Sequence, residues 1–254
     1  MNAFDLPVAA YSLYSSSDGN SAYITDGESH FLIDAGRSAK KLSDSLLSLG
    51  ASPEGITDIF VTHTHSDHVS ALSCFLKKHS PRVHMTRESV CRMGFGHSVE
   101  KEVRLGRFTV RPFPIPHDCP GATGYTVEHD SGVKLAYATD MGCITSSAFD
   151  NIKGADAVFL ESNYDEDMLL SGPYPYELKQ RIMSQRGHLS NTDSARLLCA
   201  LASSGTRRFL LCHISPKNNT PERALAAARQ GLSSCGITGV QVDAALRDEA
   251  VRLI

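Results

Sequence analysis

Three histidines and an aspartate fall within six residues in Val61-Thr62-His63-Thr64-His65-Ser66-Asp67-His68. Each neutral imidazole offers a nitrogen lone pair, and Asp67 adds a hard oxygen donor. His63 and His65, two apart, would point to one side of an extended segment. A helix beginning near Asp67 would turn Asp67 and His68 in another direction, so one loop could serve two adjacent metal ions. Packed together without a cation, these groups would need many polar partners. A flexible His-rich tag is the bland alternative. The apolar run Ile59-Phe60-Val61, which reads as a short buried strand, argues against it.

Three later residues stand where strands should end: His117 after Pro114-Ile115-Pro116, Asp140 after Ala136 to Thr139, and His213 after Phe209 to Cys212. A lone strand-end histidine is more often structural. Strand ends are rigid, however, and can converge on one edge of a sandwich. With the loop, they make a candidate ligand set of His63, His65, Asp67, His68, His117, Asp140 and His213. Asp34, closing a third strand, could orient a ligating imidazole from behind or act as a plain turn or N-cap residue.

His188 lies in Arg186-Gly187-His188-Leu189-Ser190-Asn191. An imidazole, a hydroxyl and a helix N-terminus brought together there would suit a phosphate. His188 would then protonate a leaving alkoxide or clamp the phosphate; otherwise Ser190 simply caps the helix. Asn218-Asn219 before Thr220-Pro221 repeats the pattern, with ordinary turn chemistry as its alternative. Ser190, Asn191, Asn218 and Asn219 are therefore candidate substrate contacts. Lys179, Arg181, Arg186 and Lys217 are candidate contacts to a nucleic-acid backbone.

The elements that must position these groups are short. Strands are expected at Tyr11 to Tyr14, Ser21 to Thr25, His30 to Ile33 and Ile56 to Val61, and at Arg82 to Met85. Others follow at Phe108 to Pro112, Gly124 to Glu128, Lys134 to Ala138, Ala157 to Leu160, Arg208 to Leu211 and Val240 to Ala244. Asp18-Gly19-Asn20 and Asp130-Ser131-Gly132 read as hairpin turns. Helices are expected from Ala39 to Leu49, with Leu42, Leu46, Leu47 and Leu49 apolar, after His68, at 165–171 and 175–184, after Ser190, and from Pro221. Residues 94–106 read as irregular. Alternating strands and helices with hairpins point to an α+β, mixed-sheet sandwich flanked by helices. With no repeat or composition break, residues 1–254 read as one domain.

The 254 residues carry a net charge of -3, with 41% hydrophobic and 21% charged residues. This is ordinary globular composition, without a general basic coat for nucleic acid. Met1 to Pro7 lacks the pattern of a signal peptide. No apolar run is long enough to span a bilayer. The seven scattered cysteines, none in CxxC spacing, read as reduced thiols of a cytoplasmic protein.

The segment His63 to His68 resembles the signature of the metallo-β-lactamase superfamily, and Asp34-Ala35-Gly36, His117, Asp140-Met141-Gly142 and His213 resemble its other motifs in order. The resemblance implies a four-layer αββα sandwich with two divalent metal ions, Zn²⁺ or Mn²⁺, at one edge. By it, His63, His65 and His117 hold one ion, Asp67, His68 and His213 the other, and Asp140 bridges them. A finer resemblance to the YycJ (WalJ)-like branch rests on Pro116-His117-Asp118, Leu160-Glu161-Ser162-Asn163, Gly172-Pro173-Tyr174-Pro175, Arg186 to Asn191 and Asn218 to Pro221. One departure is Tyr164, where the resemblance leads one to expect histidine. A tyrosine there could donate a hydrogen bond to substrate.

The function implied is a metal-dependent phosphodiesterase acting on nucleic acid, a DNA exonuclease of 5′-to-3′ polarity. Two cations roughly 3.5–4 Å apart would share a water and lower its pKa, giving a bridging hydroxide nucleophile. Asp67 could orient it or accept its proton. The competing readings are a small-molecule metallohydrolase (β-lactam, thioester, lactone or cyclic nucleotide) and a non-catalytic regulatory protein with a retained metal site.

Overall fold

The structure, a computed structural model, describes residues 7–254. The chain starts as a meander of β1 (Ala9–Ser16), β2 (Gly19–Thr25) and β3 (His30–Ile33). It continues through β4 (Asp58–Phe60), β5 (Arg82–Met85) and β6 (His97–Ser98), each parallel to its predecessor. The second half repeats this order. β7 (Val103–Leu105), β8 (Phe108–Pro114), β9 (Thr123–His129) and β10 (Lys134–Ala138) form an antiparallel meander. β11 (Ala157–Glu161), β12 (Arg208–Cys212) and β13 (Gln241–Ala244) then add in parallel. β14 (Val251–Arg252) returns to pair with β1, so each sheet has seven strands.

Parallel neighbours need crossovers. Helices fill most of them: α1 (Ala39–Ser48), α2 (Ser66–Val69), α3 (Leu72–Leu76), α4 (Arg87–Met93), α5 (Ser146–Ile152), α6 (Glu166–Ser171), α7 (Tyr176–Met183), α8 (Asn191–Ser203) and α9 (Pro221–Ser234). Alternation along β3 sends Phe31 and Ile33 between the sheets and Leu32 outward. Phe31, Phe60 and Phe108 meet edge to face in the middle layer. Leu42, Leu46 and Phe75 cover the outside of the first sheet, and Ile152, Leu198 and Leu201 the outside of the second. Three apolar layers between four structural ones make the αββα sandwich.

This topology fixes where chemistry can sit. β3 and β4 run parallel, as do β8, β10, β11 and β12, so their C-terminal ends share one edge. Asp34, His63, His117, Asp140, Glu161 and His213 all lie at or just beyond those ends.

Local differences from the expected elements have identifiable causes. Leu47 is 60% exposed rather than on the buried face of α1. The helix after His68 breaks into α2 and α3 because the backbone there serves a neighbour: Ala35 N donates to His68 O, and Ala71 N to Ala35 O. Tertiary pairing overrides the helical ladder at that point. Residues 94–106 contain the short β6 and β7. Helices α4 and α5, seven residues each, are too short to show a helical period in the sequence.

Candidate metal centre

The loop after β4 reaches His65 with extended backbone there and turns helical at Ser66. His63 and His65 thus join His117, and Asp67 and His68 join His213. Within each group the candidate ligand atoms lie within 4.8 Å of one another. His65 Nδ1 is 3.2 Å from both His63 Nε2 and His117 Nε2. Asp67 Oδ2 is 3.2 Å from His68 Nε2 and 3.5 Å from His213 Nε2. Asp140 stands between the groups, with Oδ2 3.4 Å from His68 Nε2 and Oδ1 3.9 Å from His117 Nε2.

Asp140 Oδ2 and His213 Nε2 are buried and accept or donate no hydrogen bond among the described residues. A buried polar atom left unpaired typically costs about 1–3 kcal/mol, more if charged. Both atoms face the cluster. The His/Asp donor set and its two orphaned atoms therefore fit metal ions.

Three of the imidazoles are held from behind through Nδ1, leaving Nε2 for the centre. His68 Nδ1 pairs with Asp34 Oδ2 at 2.7 Å, His213 Nδ1 with Glu161 Oε1 at 3.0 Å, and His117 Nδ1 with Gly187 O at 3.1 Å. Asp34 is itself fixed by Thr62 N at 2.8 Å and by the Thr62 hydroxyl. Four non-glycine residues have left-handed backbone among the described residues; Asp34, Asp140 and His213 are three of them. Such conformations cost about 1–3 kcal/mol each and cluster at functional sites.

The charges follow the same plan. Burial alone would raise Asp140, but His213 and His68 outweigh it and hold its carboxyl well below the usual range. Burial opposes charge on His213 too; Asp140, Asp67 and Glu161 nevertheless push it up to about 10. His63 is held well below its ordinary value, first by burial and then by His68, which keeps it neutral and ready to ligate.

A cavity of about 210 Å³ opens over this cluster. His188 lines it, 21% exposed, with Nδ1 2.8 Å from Glu161 Oε1 and 3.6 Å from Asp140 Oδ1. Its ring centroid is 5.4 Å from that of His117 and 5.1 Å from that of His213. Asp140, Glu161, His188 and His213 also form a group of candidate ligands.

The residues expected to touch substrate behave differently. Tyr164, Ser190, Asn191, Asn218 and Asn219 are all buried and none lines the cavity. Buried polar groups need partners; Ser190, Asn191 and Asn219 find them in one another and in the backbone, whereas Asn218 Oδ1 has none among the described residues. Ser190 Oγ caps α8, accepting from Asp193 N and donating to Asp193 Oδ2, so the hydroxyl is taken up by the helix start and does not join His188 in a phosphate cradle. Asn191 and Asn219 exchange amide hydrogen bonds, and Asn219 Nδ2 donates to Ser162 O, tying α8 and α9 to the end of β11. Burial pushes the Tyr164 phenol up to about 12. Of the four basic candidates only Arg181 lines the cavity, paired with Asp118. Lys179 bonds Leu170 O, Arg186 bonds His117 O, and Lys217 sits over the Tyr174 ring.

Two residues overlooked in the sequence matter here. Glu161 is fully buried and also accepts from Met141 N and Leu189 N, joining the Asp140 and His188 loops. Its signal was available: an acid ending an apolar strand between the strands of Asp140 and His213. Asn20, in the Asp18-Gly19-Asn20 hairpin, puts Nδ2 3.1 Å from both Asp67 Oδ2 and His68 Nε2. Its turn reading concealed this.

Among the described residues no helix is long and apolar enough to cross a membrane. Residues 29–214 match the sequence model of the β-lactamase superfamily domain. The chain is 30% identical over 244 residues to the exodeoxyribonuclease WalJ of Streptococcus pneumoniae, covering 91% of this chain and 90% of that one. It is 32% identical over 235 residues to the exodeoxyribonuclease YycJ of Bacillus anthracis, covering 88% and 89%. Its fold superposes on the metallo-β-lactamase fold protein YhfI of Bacillus subtilis with a TM-score of 0.75 at 13% identity, covering 96% of this chain and 98% of that one. The strand-edge cluster of histidines and acids thus sits in a shared framework, and the chain belongs to the metallo-β-lactamase-fold hydrolases of the β-lactamase superfamily, in the branch of WalJ and YycJ.

Proposed function

We propose that the chain is a metal-dependent phosphodiesterase acting on nucleic acid, a cytoplasmic DNA exonuclease working 5′ to 3′, with residues 1–254 as one catalytic domain. The observation that carries this reading is His188 beside the His/Asp cluster, gripped by Glu161 at 2.8 Å. A phosphodiester needs a proton delivered to its departing oxygen. The names of the relatives support DNA as the substrate, and seven unpaired cysteines support a reducing compartment.

His63, His65, His117 and Asp140 would hold one ion; Asp67, His68, His213 and Asp140 would hold the other. Bound there, two divalent ions such as Zn²⁺ or Mn²⁺ supply Lewis acidity toward the phosphate and activate water. The chain supplies the rest. Burial would raise Asp67, but His68 and His213 outweigh it and hold the carboxyl below the ordinary range, so it stays ionised and can orient the attacking water. Asn20 donates to Asp67 Oδ2, the oxygen facing His68 and His213, and so fixes the orientation of the carboxylate. With Nδ1–H donated to Glu161, His188 would pass a proton from Nε2 to the leaving alkoxide. Orientation of donor and acceptor in a small cavity supplies the proximity.

The test is one panel: metal-reconstituted protein with end-labelled single- and double-stranded DNA, RNA, nitrocefin and a thioester, and Asp140→Ala as control. DNA cleavage lost in the variant is expected. Turnover of nitrocefin or thioester alone overturns the reading.

A further inference from the structure

Helix α7 buries no residue in the core. Two of its apolar side chains, Leu178 and Ile182, line the cavity instead. Tyr174 before the helix, then Leu178 and Ile182 within it, recur every four residues and line the wall beside His188. Four-residue spacing puts side chains on one helical face. The chain thus places a half-buried apolar strip beside a floor of histidines and acids. Lys217 Nζ lies 5.5 Å from the Tyr174 ring centroid, on the loop whose Ser215 also lines the cavity.

A flat apolar group and a phosphate joined by a short link match this layout. The phosphate belongs at the floor. The flat group belongs on the wall, with a cation close by. The cavity, about 210 Å³, lies below the range of about 300–1,000 Å³ usual for ligand pockets. It is open on one side, with room for the end of a strand rather than for a whole ligand. Resting on the phosphodiesterase reading, we propose that Tyr174, backed by Leu178 and Ile182, is the stacking wall for the base of the nucleotide being removed. Every base has a π-face, and Leu178 and Ile182 carry no hydrogen-bonding side-chain groups, so the wall accepts all four bases. Such stacking is sequence-tolerant. Tyr174 is a binding residue here and takes no part in proton transfer.

The test crosses two substrates with three proteins, all full-length and metal-loaded. The substrates are end-labelled DNA with an ordinary terminal nucleotide and the same strand with a terminal abasic tetrahydrofuran residue. The proteins are the wild type, Tyr174→Ala and Tyr174→Phe. The wild type should prefer the base-bearing end by about tenfold to hundredfold in kcat/KM. Tyr174→Ala should bring that ratio towards one, whereas Tyr174→Phe keeps it. A wild-type ratio near one, or an undiminished ratio in Tyr174→Ala, overturns the proposal while leaving the phosphodiesterase reading intact. Failure of the wild type to cleave either strand overturns both. Should Tyr174→Ala not fold, the wild-type ratio and Leu178→Ser decide in the same way.

Discussion

Glu161 Oε1 lies 2.8 Å from His188 Nδ1, and the same oxygen lies 3.0 Å from His213 Nδ1. One buried carboxylate therefore sets the ring of a candidate ligand and the ring of the candidate proton donor. It does so from the end of β11, the strand between those that deliver Asp140 and His213.

If His188 is the proton donor, its loss should depend on the leaving group. His188→Ala should lower kcat on DNA by about 10²–10⁴-fold, the usual range for general acid catalysis. A phosphodiester with a p-nitrophenolate leaving group needs little protonation and should lose much less. Metal content by mass spectrometry should stay at the wild-type level. Equal losses on both substrates, or a lost metal ion, would instead make His188 a ligand or a structural residue.

Metal loading should release protons. Burial disfavours charge on His213, but Asp140, Asp67 and Glu161 push its pKa up to about 10, and Asp67, Asp34 and Asp140 likewise raise His68. Both rings are protonated in metal-free protein near neutral pH, whereas a ligand must be neutral. Metal affinity should therefore rise with pH, and calorimetric heats should change with the ionisation enthalpy of the buffer. The stability contributed by protonated His213 in the metal-free protein runs the other way. It is complete below the unfolded value of about 6.5 and is lost as pH climbs towards 10. Buffer-independent heats would contradict this electrostatic picture.

A second buried carboxylate acts on the fold rather than the site. Asp58 Oδ1 is 2.6 Å from His84 Nε2 and 2.9 Å from Arg82 Nε. Burial would raise its pKa, but the His84 and Arg82 hydrogen bonds hold it below the usual range. A depressed carboxylate adds stability above its unfolded pKa and loses it as pH falls through the folded one. Asp58→Asn should thus cost about 1–3 kcal/mol in urea unfolding at pH 7. The gap to the wild type should narrow below about pH 4. A gap that is constant with pH would assign the effect to packing.

The strand-edge cluster of candidate ligands was legible because its residues follow one rule: His or Asp where an apolar strand stops. His63 to His68, His117, Asp140 and His213 all obey it, and the folded chain brings them to one edge. Glu161 obeys it too, yet one acid among 28 acidic residues carries little weight until its parallel neighbours are known. Asn20 could not be read, since Gly36 must first pack against its backbone before its amide meets Asp67. Ser190, Asn191 and Asn219, expected at the substrate, are instead taken up within the fold. Helix caps and buried amide pairs use the same residue types as phosphate contacts, and only burial separates them.

The most direct test of the central claim follows product size from 5′-labelled duplex DNA with metal-reconstituted protein, with Asp140→Ala alongside. The account predicts that the label leaves as a very short product from the first turnovers, and that the variant releases none. A full-length labelled strand shortening gradually from its 3′ end would contradict the proposed direction. Intact DNA in a preparation that hydrolyses nitrocefin or a thioester would contradict the phosphodiesterase itself.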